Sequence, residues 1–205
     1  MDADGSWIPK EADGFQKLIK AARGYRDVVQ AGQPTLREPA KPVDPDAIGT
    51  ADIQELIEEM ISVMALKGVG LAAPQLGVAL QVITLQDSNA DIADAEPGEA
   101  ELAERAPFGL KVLINPVVKK RPGSRSAVFF EGCLSVQGYR ALVERALEVD
   151  VTALGGDGRP VAFAARGWQA RILQHEVDHL AGTLYVDRMI PRTFRRVPSP
   201  QAQPR

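Results

Sequence analysis

The chain has 205 residues, 45% of them hydrophobic and 25% charged, with a formal net charge of −3. That content suits one globular domain with a sizeable core, and the slight acidity gives no reason to expect nucleic-acid binding. No apolar run approaches the ~20 residues needed to cross a bilayer, and the N-terminus lacks a secretory apolar segment.

Residues 1–14 and 197–205, rich in Pro, Gly, Gln or charge, read as loosely held ends around a core at about 30–196. Asp2, Asp4, Glu11 and Asp13 argue against an intact organellar presequence there, since such segments are acid-poor. Residues 33–49 carry Pro34, Pro39, Pro42 and Pro45 and are expected to run extended. From Thr50, in N-cap position, Ile53, Leu56, Ile57, Met60 and Met64 recur at helical spacing up to Gly68. Lys67–Gln75 then reads as a loop. Gly68 and Gly70 permit close backbone approach and positive φ, and Ala72 and Ala73 leave room beside the chain. It is no phosphate-binding loop, because no Lys-Ser/Thr follows and the GxG opens no helix after a strand.

Val78–Leu85 and Leu110–Val118 read as strands. Between them, residues 87–107 form an acidic, Ala/Glu-rich insertion with a short helix at Glu99–Arg105. Lys119-Lys120-Arg121 reads as a solvated turn. Ser126–Phe130, Tyr139–Glu144, Ala146–Leu154 and Val161–Ala165 are further strands, with Gly155-Gly156-Asp157-Gly158 as a hairpin turn. Ala170, Leu173, Val177 and Leu180 then make an apolar stripe at helical spacing, with Gly182 as the stop. Strands in a run followed by a helix indicate an α+β fold. Its antiparallel β-sheets pack around a central buried helix, with an additional N-terminal helix.

The last helix carries the only two histidines of the chain, His175 and His179, with Glu176 directly after the first. Four positions is about one helical turn, so both imidazoles leave one face together with Ile172 and Glu176. Two neutral imidazoles so spaced can bind one transition metal, and the Glu can take a proton from water held there. On a solvated helix such a pair is often coincidence. In an apolar helix an unpartnered imidazole pair is costly, which favours the metal.

A catalytic zinc-type site needs a third protein ligand. The single cysteine, Cys133, stands in Glu131-Gly132-Cys133-Leu134-Ser135 at the end of an apolar strand and has no partner for an internal disulfide. An inert core cysteine is the alternative. Cys with His-x-x-x-His makes an S,N,N set suited to zinc, Fe(II), Co or Ni, not to Mg or Ca. Gln75 can present an uncharged N–H₂ donor to a developing oxyanion.

Gly68–Gln75, Glu131–Ser135 and His175–His179 match, in order, the motifs GxGxAAxQ, EGCxS and HExDH. On these motifs the chain, from about Leu36 to Arg196, resembles peptide deformylase. The residues flanking the two histidines are similar to the organellar, mitochondrial-type branch of plants and animals. EGCLS, with Leu134, is nearer the plant and bacterial pattern.

The resemblance implies a metal-dependent hydrolase that removes the formyl group from the N-terminal formylmethionine of newly synthesised polypeptides, releasing formate. It implies one divalent ion per chain, Fe(II) natively with Zn, Ni or Co as substitutes, held by Cys133, His175 and His179. Glu176 would act as base and then acid, and the Leu134 backbone N–H with Gln75 would stabilise the oxyanion. Gly70 would contact substrate backbone. Val69, Phe129, Trp168 and Ile172 would wall the methionine pocket, ordinary core packing being the alternative for each. Glu131 with Arg140, and Asp178 with Arg145, would orient the turn and the helix.

The implied partners are ribosome-associated N-formylmethionyl nascent peptides, without nucleic-acid or membrane contact, and a homodimer is admitted. The compartment is a mitochondrion, a chloroplast or the cytoplasm of a bacterium. Two other functions compete. HExxH alone suggests a zinc endopeptidase, which commonly draws a downstream Glu or His as third ligand, and no further His exists here. A scaffold with a structural metal needs a fourth ligand, which only Glu176 or Asp178 is placed to supply.

Overall fold

The computed structural model of the protein describes residues 26–93 and 98–197, so the end expected at 1–14, and all but Val197 of the one expected at 197–205, lie outside the described residues. The main helix of the N-terminal half, α1 (Ala51–Lys67), follows the apolar spacing: Ile53, Leu56, Ile57, Met60 and Met64 are all buried. Thr50 occupies the N-cap with extended backbone, but its hydroxyl donates back to Ala47 O at 2.7 Å and does not cap the first turn. The buried face of α1 packs on Leu71, Leu76, Val82, Val112 and Ile114.

Five strands build the larger sheet in the order β1 (Gly70–Ala72), β2 (Val82–Asp87), β3 (Phe108–Lys120), β6 (Glu148–Gly155), β7 (Pro160–Arg166). The smaller sheet is β4 (Ser126–Cys133), β5 (Val136–Ala146) and β8 (Arg195–Arg196). All the strand pairings are antiparallel. In β6 the side chains alternate, and Val149, Val151 and Ala153 point into the core. There they meet Ala170, Leu173 and Leu180 of α4 (Gly167–Leu180), together with Ile83, Leu85 and Leu113. The architecture is the expected α+β one, with α4 largely buried.

Several local expectations are corrected. Lys67–Gln75 is not a loop throughout: Gly70–Ala72 pair with Leu85–Ile83 as β1, and Ala73–Leu76 form a 3-10 turn. A three-residue strand is too short to show alternation. Gly68 is extended at φ 177, and Gly70 is not at positive φ. What Gly70 needs is space, since a Cβ there would lie 2.3 Å from Glu176 Oε1 and 2.9 Å from Ile172 Cγ2.

Residues 33–49 are not simply extended. Pro34 and Pro45 each open a 3-10 turn, where their fixed φ suits the first helical position. β2 begins at Val82 rather than Val78, because Gly77 takes φ +77 and ends the preceding turn. Lys119 and Lys120 belong to β3, and Arg121 pairs with Asp150 at 3.1 Å. Among its described residues the insertion carries two short helices, α2 (Asn89–Ala93) and α3 (Glu99–Leu102), and Arg105 leaves helical structure to bond Asp87.

After α4 comes α5 (Tyr185–Arg188). Between them Gly182 takes φ +71, and a Cβ there would meet Arg37 O at 2.6 Å, so both conformation and contact require glycine.

Leu173, with no exposed surface, is the centre of the α4 contact. Leu173→Ala is expected to lower the unfolding free energy by about 2–5 kcal/mol, the cost of the lost burial plus the cavity. Urea denaturation checks this, and a loss below about 1 kcal/mol would mean that α4 is not the packing centre described.

Candidate active site

His175 and His179 stand one turn apart on α4, with ring centroids 5.0 Å apart and planes at 77°. Cys133 reaches them from the tight reversal between β4 and β5. The register slips between Gly132 and Cys133, so Cys133 opposes Val136. Its sulfur lies 3.3 Å from His179 Nε2. One ligand atom from each of Cys133, His175 and His179 lies within 4.8 Å of the other two. A tetrahedral zinc-like ion separates its sulfur and nitrogen donors by about 3.5 Å, close to the Cys133–His179 spacing, and the chemistry of the three donors suits such an ion.

The charge balance points the same way. Burial opposes a charge on His175, but the neighbouring Cys133 and Glu131 draw a proton strongly onto its ring. His179 is held neutral by burial and by the charges of His175 and Arg145, and a neutral imidazole is the form that binds a metal.

Glu131 is buried, and both its oxygens are used. Oε1 accepts from Arg145 Nε at 3.0 Å and Arg171 Nη1 at 2.6 Å. Oε2 accepts from Arg145 Nη2 at 3.0 Å and pairs with His175 Nδ1 at 3.0 Å. Burial works against the carboxylate charge, but the bonds from His175 and Arg145 prevail and hold it well below the usual range. A proton on Nδ1 leaves the Nε2 lone pair of His175 free for a ligand bond.

Arg140 does not join Glu131. In the β4–β5 register Glu131 faces Ala141, and Arg140 faces Gly132, one residue out of phase and therefore on the other side of the sheet. There its guanidinium lies 4.9 Å from the Phe130 ring centroid. Arg145, in phase with Ala141, takes the place expected for Arg140 and also bonds Asp178. Asp178 accepts in addition from Arg188 Nε and Nη2 at 2.6 and 2.7 Å.

Glu176 is 4% exposed, and its Oε2 has no hydrogen-bond partner among the described residues. Burial pushes its carboxyl up to about 7. A buried carboxyl left without a partner costs stability, and such groups concentrate where chemistry uses them. Gln75 is buried opposite. Its Oε1 accepts from Ala72 N at 2.9 Å, which turns Nε2 toward Ser135 Oγ at 3.3 Å and Cys133 Sγ at 3.5 Å.

A cavity of about 770 Å³ opens beside this group. Val69, Gly70, Trp168 and Ile172 line it, as do Gln75, Cys133, Leu134, His175 and Glu176. Phe129 does not. Its ring packs instead against the guanidinium of Arg171, 5.1 Å from the centroid. Sequence reasoning passed over Arg171, Arg188, Ser135 and Tyr185, whose ring stacks on that of His175 at 6.3 Å. Arg171 had a signal: it lies four residues before His175, on the same face of the helix.

The polypeptide deformylase family model matches residues 25–195. The chain is 54% identical over 179 residues to "Peptide deformylase 1A, chloroplastic" of Solanum lycopersicum, covering 87% of this chain and 64% of that protein. It is 41% identical over 174 residues to the Homo sapiens "Peptide deformylase, mitochondrial", covering 84% and 71%. Bacterial relatives include "Peptide deformylase 1" of Streptomyces coelicolor, 44% identical over 179 residues and covering 86% and 78%. The chain thus spans just under two thirds of the tomato relative. Among solved structures, the Met-Ala-Ser-bound class I type b peptide deformylase from Acinetobacter baumannii superposes with a TM-score of 0.70 at 32% identity, covering 81% of this chain and 99% of that one.

The two arginines of β5 give a sharp contrast. Arg145→Met removes three hydrogen bonds from the buried carboxylates of Glu131 and Asp178 and is expected to cost about 3–5 kcal/mol. Arg140→Met, on the outer face, is expected to cost less than about 1 kcal/mol. Chemical denaturation of the two variants checks the contrast, and equal losses would contradict the register given above.

Proposed function

The chain belongs to the polypeptide deformylase family, and on that premise we propose that it is a metal-dependent hydrolase of N-formylmethionyl peptides. It removes the formyl group from newly synthesised polypeptides and releases formate. One observation carries the reading: three ligand atoms gather within 4.8 Å beside a buried Glu176 that has an unpartnered oxygen.

In this proposal Cys133, His175 and His179 hold the ion, Fe(II) by family likeness, with Zn, Ni or Co also compatible with the donor set. When bound, the ion supplies Lewis acidity, lowering the pKa of water and polarising the formyl carbonyl. Glu176 takes the proton of the attacking water on a carboxylate oxygen and returns it to the nitrogen of the departing amine. Its burial and its unpartnered oxygen support that role as proton carrier.

Gln75 Nε2 and the Leu134 backbone N–H are the proposed donors to the oxyanion. The Ala72 N–H that fixes Gln75 Oε1 supports this, because it leaves the amide hydrogens directed at the site. Gly70 is the proposed contact for the substrate backbone, and its missing Cβ lets the Glu176 carboxylate lie against the chain there, a closeness that leaves little room for an acyl group larger than formyl. Val69, Trp168 and Ile172 are the proposed wall for the methionine side chain. Relatives with chloroplastic, mitochondrial and bacterial origins support an organelle or a bacterium as the setting. No helix of the described residues is long and apolar enough to cross a membrane.

The test is anaerobic release of formate from formyl-Met-Ala-Ser, against a peptide offering only internal bonds. Wild-type protein should deformylate the first and leave the second intact; cleavage of the internal bonds would favour an endopeptidase. Glu176→Gln should keep the metal while kcat falls by roughly 100-fold or more. A variant retaining over about a tenth of wild-type kcat would overturn the base assignment.

A further inference from the structure

The segment joining β2 to β3 has no part in the proposed reaction, yet its last residues close on the start of α4. Gly167 has φ +56, and a Cβ there would lie 2.5 Å from Glu104 O and 2.9 Å from Ala103 O. Arg166 donates to Glu104 Oε2 from Nε at 3.0 Å and Nη2 at 2.6 Å. The next residue of the segment, Arg105, places its guanidinium carbon 5.4 Å from the ring centroid of Trp168, within cation–π reach.

Arg105 is itself held from behind. Its Nε and Nη2 donate to Asp87 Oδ2 and Oδ1 at 2.7 and 2.8 Å, the two-pronged geometry that fixes a guanidinium plane. The Asp87 side chain is 0% exposed and that of Arg105 12%, so water does not compete for the pair. Trp168, by contrast, is only half-buried and lines the cavity beside Val69 and Ile172. A half-buried indole keeps alternative rotamers unless something outside the cavity restrains it.

We propose that Asp87 and Arg105 are positioning residues that hold the Trp168 indole at the cavity wall. The segment between β2 and β3 thereby sets the width of the pocket for the substrate's first side chain. The role in substrate binding rests on the deformylase reading. Trp168 stands on the wall rather than at the reacting atoms, so releasing it weakens substrate binding and leaves the chemical step nearly intact. That is a rise in KM at nearly constant kcat.

The test uses metal-loaded protein carrying Trp7→Phe, which leaves Trp168 as the sole tryptophan emitter because the chain has two. Arg105→Gln and Asp87→Asn should each raise KM for formyl-Met-Ala-Ser roughly tenfold while kcat stays within about threefold. Arg105→Lys, which keeps the cation and loses the fork, should recover part of the loss. Trp168 emission should shift in Arg105→Gln. Adding Arg105→Gln to Trp168→Leu should change KM by less than about twofold, since the indole through which it acts is gone.

An equal rise in KM with and without Trp168, or no rise at all, overturns the proposal. If Arg105→Gln does not fold by circular dichroism, Arg105→Lys decides by the same KM and emission comparisons. A wild-type protein that releases no formate overturns the deformylase reading instead. Emission then still judges the clamp: a shift upholds it and unchanged emission overturns it.

Discussion

The carboxylate of Glu131 is where β4, β5 and α4 are tied together. It is buried in the small sheet, and each oxygen takes two donors, from Arg145 of β5 and from Arg171 and His175 of α4. Removing such a charge from water costs several kcal/mol, and only well-formed bonds to every lone pair offset the loss. The pairing therefore sets how the small sheet stands against the helix more narrowly than apolar packing alone would. The alternation of charge continues outward, from Arg145 to Asp178 and from Asp178 to Arg188 at the end of α5.

The candidate site inherits its geometry from that arrangement. Glu131 engages His175 Nδ1, while Cys133, two residues further along β4, is carried to His179 Nε2 by the slip in register. The larger sheet contributes from the other side. Its edge strand β1 and the 3-10 turn after it bring Gly70 and Gln75 to within contact of Glu176 and Cys133. Three chain segments that are far apart in sequence thus meet over one turn of α4, and two of them are fixed by buried polar bonds. Buried polar networks of this kind specify one arrangement when complete, and here Glu176 Oε2 is a conspicuous gap.

What could be read from the sequence followed from periodicity and rarity. α1 and α4 showed their apolar stripes plainly, and two histidines and one cysteine in 205 residues drew attention to the three side chains that gather at α4. Features that depend on pairing between distant segments were not visible in that way. Arg140 and Arg145 are equally plausible partners for Glu131 until the β4–β5 register puts them on opposite faces. Phe129 looked like a pocket residue, but Arg171 takes its ring as a platform. β1 is too short to alternate, and the Asp87–Arg105 bond joins the two ends of an acidic stretch in which no pattern marks either residue. Gly70 was flagged for the right reason of two: close approach holds, positive φ does not.

If Glu131 organises the metal ligands through His175, removing its charge while keeping its shape must weaken metal binding before it damages the fold. The direct measurement is the affinity of Glu131→Gln for a divalent ion such as Zn, by competition with a chromophoric chelator, on protein shown to be folded. Binding weaker by roughly 10–100-fold than wild type is the expected result. A folded Glu131→Gln protein that binds the ion as tightly as wild type would contradict it.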